Sequence, residues 1–111
     1  MYEDWKIIQS NGYTIYLCVN LEDNKFSAVV NQSKSDEGNT RGNDEGRIHN
    51  GFIHGNQIKF TIEWFNGSTG EYNGIIGLDG RIYGIGGETT TNGIAYWVSS
   101  KPTSLLSNKT L

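Results

Sequence analysis

Between Gln57 and Gly86 apolar and polar residues alternate with a period of two, and the alternation breaks at short intervals at glycine beside Asn or Asp. Period-two alternation marks strands with one dry and one wet face. Asn11-Gly12, Asp23-Asn24, Gly55-Asn56, Asn66-Gly67, Asp79-Gly80 and Asn92-Gly93 tolerate positive φ and read as hairpin turns. The runs between them predict eight strands: Glu3 to Gln9, Tyr13 to Asn20, Lys25 to Asn31, Gly46 to Ile53, Gln57 to Phe65, Gly70 to Gly77, Arg81 to Gly86 and Gly93 to Ser99. Before the last dozen residues, no stretch keeps helical i, i+3, i+4 apolar spacing clear of glycine, so the reading is all-β. One domain over residues 1–100 is expected, with "PTSLLSNKTL" closing a polar tail at 101–111.

Consecutive strands joined by tight turns form a meander, and an open meander leaves two strand edges unpaired. Closing the first strand on the last removes both, which predicts a closed antiparallel up-and-down barrel of eight strands. One connection breaks the rhythm. "QSKSDEGNTRGNDEG", Gln32 to Gly46, is long, charged and free of apolar residues, and reads as a surface loop or a lid over a ligand.

Strand parity assigns the faces. In "QIKFTIEWF", Ile58, Phe60, Ile62 and Trp64 share one side, read as inward, and Lys59, Thr61, Glu63 and Phe65 share the other. Carried through the turns, the same parity points Tyr72, Gly74, Ile76, Ile82, Gly84 and Gly86 inward. Half of these positions are glycine, which either seats a large side chain such as Trp64 or Trp5 or leaves room for a ligand. Outside, Phe65, Ile75, Tyr83 and Ile85 lie on adjacent strands, and "GIAYWVSS" is apolar on both faces. A two-faced apolar strand has something on each side, which predicts a homodimer or homotetramer with Ile75 and Ile85 in its interface.

Composition narrows the partners. The net charge of −3 and pI near 5.2 offer no basic stripe, so nucleic acid is not expected. No run approaches the ~18 apolar residues of a membrane helix, and no basic head precedes an apolar core at the N-terminus. The expectation is a cytoplasmic protein or a mature secreted form, with no membrane partner. The single cysteine, Cys18, excludes an intrachain disulfide framework and reads as a buried small hydrophobe or a sheet-surface thiol.

Catalytic chemistry finds little support. Glu63 and Glu71 flank a hairpin but read as solvated sheet surface. His49 and His54 stand five positions apart in one strand, which predicts opposite faces and no metal site. There is no G-x-S-x-G motif, and "GIGG" opens no helix. No catalytic residue, metal or cofactor is expected.

The order and spacing of "WKIIQSNG", "FTIEWFNG", "YNG" and "IAYW", covering Trp5 to Ser99, resemble the avidins. The resemblance implies a non-catalytic oligomeric barrel that binds its ligand at the open end beneath the loop after strand three. It implies pocket roles for Trp64, Tyr72 and Ser68, and a contact with a neighbouring subunit for Trp97. Tyr72 stands where avidins carry Trp, strand seven has glycines in place of another pocket Trp, and "KIIQSNG" lacks a clean match to the Asn and Ser that hold the biotin ureido oxygen. The expected ligand is therefore a small, partly polar molecule other than tightly bound biotin. Trp5, Trp64 and Tyr72 would form its apolar walls, and Ser68, Asn73 and Tyr83 its hydrogen-bonding groups. The alternative is a lectin-like or protease-inhibitor-like protein that meets a glycan or protein partner with its surface.

Overall fold

The computed structural model describes residues 2–34, 44–88 and 93–105. Eight strands follow in order: β1 (Tyr2–Gln9), β2 (Tyr13–Glu22), β3 (Lys25–Lys34), β4 (Asp44–His54), β5 (Gln57–Trp64), β6 (Thr69–Ile76), β7 (Ile82–Glu88) and β8 (Gly93–Ser99). Each pairs antiparallel with its neighbour in sequence, and β1 pairs with β8, so the sheet closes into an up-and-down barrel. No helix occurs among the described residues. The closing seam is short, with Ile7, Ile8 and Gln9 opposite Ser99, Val98 and Trp97.

The turns form where the local chemistry dictates. Asn66 turns the β5–β6 hairpin by accepting from the Ser68 backbone N–H at 2.9 Å and the Ser68 hydroxyl at 2.8 Å, while Gly67 takes a φ of 98°. Two strands reach further than their composition suggests. Pairing of Asn31 with Glu45 and Gln32 with Asp44 carries β3 and β4 into the charged segment, since backbone ladders are indifferent to polar side chains at a barrel rim. The lid expected there falls on 35–43, outside the described residues, as does Asn92 of the expected Asn92-Gly93 turn.

Strand β4 carries the main irregularity. Three residues of β3, Phe26 to Ala28, face four of β4, Ile48 to Gly51, and five of β5, Lys59 to Glu63, face six of β4, Arg47 to Phe52. One extra residue is therefore bulged out of β4. The bulge shifts the parity, so His49 and His54 are both exposed rather than on opposite faces. Cys18 is the exposed sheet-surface thiol of the two alternatives.

Inward parity is as expected: Ile58, Phe60, Ile62, Trp64, Tyr72, Ile76 and Ile82 are all buried. Five rings run through the interior. Trp5 meets Phe26 at 5.4 Å, Phe26 meets Phe60 at 5.8 Å, and Phe60 stacks on Tyr72 at 5.1 Å with 4° between planes. Trp97 lies 5.8 Å from Phe60 and 6.0 Å from Tyr72. These rings occupy the space left by the inward glycines. Phe26 covers Gly51, Tyr72 covers Gly86, and Trp97 covers both Gly74 and Gly84. The covering ring at Gly74 and Gly84 is Trp97 rather than Trp64 or Trp5, because β8 runs beside β7 with Trp97 directly opposite Gly84.

The end bounded by the β2–β3, β4–β5 and β6–β7 turns is closed by the chain itself. Residues 101–105, expected to begin a polar tail, are pinned across it. The Thr103 N–H donates to the Gly80 carbonyl at 2.8 Å, the Ser104 N–H donates to the Glu3 carboxylate at 3.0 Å, and Leu105 packs against the core with Leu21.

Candidate functional site

With one end strapped shut, the other end carries the β1–β2 and β5–β6 turns and is where residues 35–43 join β3 to β4. Strand parity brings Gln9, Gln32, Trp64 and Tyr72 inward beneath it. Gln9 continues the inward series Trp5, Ile7, and Gln32 continues Phe26, Ala28, Val30. Each strand thus ends its apolar face on an amide. Gln9 is only 5% exposed. Its Oε1 accepts from the Tyr72 hydroxyl at 3.3 Å, and its Nε2 donates to Gln32 Oε1 at 3.3 Å. Both distances are longer than the ~2.8–3.0 Å of a well-formed bond, so the chain of polar groups is loosely tied.

Trp97 sits beside Gln9 across the β1–β8 seam. Its indole N–H, on a side chain 3% exposed, meets no acceptor among the described residues. A buried donor left without a partner costs roughly 1–3 kcal/mol, which an acceptor brought into the barrel would recover.

The residues expected to form the site separate into three places. Trp64, seated against Gly46, and Tyr72 lie inside at the loop end, and Ser68 lies in the adjoining turn with its hydroxyl given to Asn66. Trp5 is buried, but its indole N–H donates to Glu3, the carboxylate that also holds Ser104, so Trp5 belongs to the strapped end. Asn73 and Tyr83 do not line the interior. They alternate with the inward Tyr72 and Ile82 and so face out, where they share a shallow groove of about 590 Å³ with Gln57, Lys59, Ile75 and Ile85. Trp97, placed at a subunit contact by resemblance, is interior instead, while Ile75 and Ile85 are exposed as expected. Gln9 and Gln32 went unread, although parity from Ile7 and Val30 was enough to place them.

On the outer wall the Tyr83 hydroxyl donates to Asp79 at 2.8 Å, and the Arg81 backbone N–H donates to the same carboxylate at 3.0 Å. The backbone bond from Arg81, then the Tyr83 hydroxyl, hold Asp79 below its ordinary pKa. The same bond to Asp79 raises Tyr83 above its own. No three metal-ligating side chains gather among the described residues. The fold is that of a closed eight-stranded up-and-down barrel. The chain matches no family model and no curated protein.

Proposed function

We propose that this chain is a non-catalytic barrel that binds a small, partly polar molecule at the end where residues 35–43 join β3 to β4. The supporting observation is the polar group set in an apolar interior: the Gln9 and Gln32 amides, the Tyr72 hydroxyl and the unpartnered Trp97 indole N–H. A ligand carbonyl or hydroxyl has acceptors and donors to meet there, and Trp64 supplies an apolar wall. The architecture is avidin-like, with a ligand other than tightly held biotin. Tryptophan fluorescence titrated with small carbonyl- and hydroxyl-bearing molecules, biotin included, tests the reading. A saturable change weakened at least tenfold by Gln9→Leu supports it, and no change with any ligand contradicts it.

A second reading rests on the outer groove. Tyr83 offers a ring face, and Asn73, Gln57 and Lys59 offer donors, as a sugar requires. Glycan-array binding lost on Asn73→Ala would favour this lectin-like use of the surface.

A further inference from the structure

We propose that a second copy of this chain docks on the outer wall formed by β6, β7, β8 and β1, giving a two-fold dimer. On that wall Ile75, Tyr83, Val98 and Ile8 are successive cross-strand neighbours and make one apolar row. Ile85 and Tyr96 are neighbours in the next row, and Ile94 lies beyond them on β8. Ile94 is 76% exposed and Tyr96 73%, and Ile8, Ile75, Tyr83 and Ile85 are exposed as well.

The wall of β4 and β5 shows what a solvated side of this barrel looks like. Arg47, His49, Lys59, Thr61 and Glu63 stand outward there, with Phe52 the exposed apolar residue among them, close to the usual pattern of polar residues on the wet face of an antiparallel sheet. The β4–β5 wall is therefore mainly polar and the β6–β1 wall mainly apolar, while Tyr16 and Val29 are exposed on β2 and β3. The apolar row holds no charge, while Lys59, Glu71 and Asp79 stand around it and form a polar rim.

The occupant follows from area and topology. Scaled to ordinary side-chain areas, the exposed parts of Ile8, Ile75, Tyr83, Ile85, Ile94 and Tyr96 come to roughly 700 Å², near the ~800 Å² per partner of a standard interface. The sheet is closed on itself, so copies meet face to face rather than by adding strands. A single apolar wall meets its own image about a two-fold axis, whereas a head-to-tail contact needs a second, different patch. Trp97 backs this wall from inside and does not cross to the partner.

Sedimentation equilibrium at micromolar concentration tests the dimer. The expected result is twice the 12.3 kDa chain mass, falling to the chain mass in Ile85→Lys and, separately, in Tyr96→Lys, with unchanged far-UV circular dichroism in the latter. Thr61→Lys on the polar wall should leave the dimer intact. A wild-type monomer, a dimer indifferent to Tyr96→Lys, an open-ended series of larger species, or a monomer that binds lipid vesicles through these residues would each overturn the proposal.

Discussion

Trp97 on β8 lies against Gly84 on β7, and its ring occupies the place a β-carbon on Gly84 would need. The relationship explains why strands β6 and β7 are thin just where β8 is heavy. An alanine at Gly74 would sit 2.7 Å from Trp97 Cη2 and 2.9 Å from the Tyr83 carbonyl oxygen, leaving neither the ring nor the backbone free to move. Gly74→Ala and Gly84→Ala should each cost about 1–3 kcal/mol through overpacking, read as a lowered midpoint in chemical denaturation. A cost within error would mean that Trp97 packs elsewhere.

The Asp79–Tyr83 pair gives a pH signature at both extremes. Asp79 lies below its ordinary 3.8 because it accepts from the Arg81 N–H and the Tyr83 hydroxyl, so its contribution is present above pH 3.8 and lost as pH falls through its folded value. Tyr83 lies above its ordinary 10.0 because it donates to Asp79, so its contribution is present below pH 10.0 and lost as pH rises through its folded value. In an NMR titration of the side-chain carboxyl, Asp79 should titrate below its ordinary 3.8. Tyr83→Phe should move it part of the way back, with the Arg81 N–H holding the remainder.

The C-terminal strap should behave as structure. Thr103 donates twice to Gly80, through its N–H at 2.8 Å and its hydroxyl at 2.7 Å, and Leu105 packs on the core. Leu105→Ala should lower stability by about 1–2 kcal/mol for a half-buried side chain. The Thr103 amide should be protected in native-state hydrogen exchange, and rapid exchange there would mean the end is open.

Much of this architecture was legible because strand parity is a local property. Ile58, Phe60, Ile62 and Trp64 alternate without interruption, and closure follows from the cost of unpaired edges. Where parity slips, reading from sequence fails. The β4 bulge turns His49 and His54 to the same side, and its one sign in "RIHNGFIH" is Gly51, which marks an irregular place without fixing the extra residue. The charged ends of β3 and β4 hid because pairing partners, not composition, extend a ladder. Trp97 was misplaced by resemblance although its own parity, opposite to Ile94 and Tyr96, put it inside. Gln9 is the instructive omission, a polar residue at an inward position whose meaning appears only once Tyr72 and Trp97 stand beside it.

The most direct test of ligand binding at the loop end reads the indole N–H of Trp97 in a nitrogen–proton correlation spectrum during titration with carbonyl- and hydroxyl-bearing small molecules. Binding should move the Trp97 indole resonance downfield as its unpartnered N–H gains an acceptor, with the Trp64 resonance shifting in step and Trp5, tied to Glu3, staying in place. If saturating amounts of every molecule, biotin included, leave the Trp97 and Trp64 resonances unmoved, the barrel is a filled core and the ligand-binding reading is wrong.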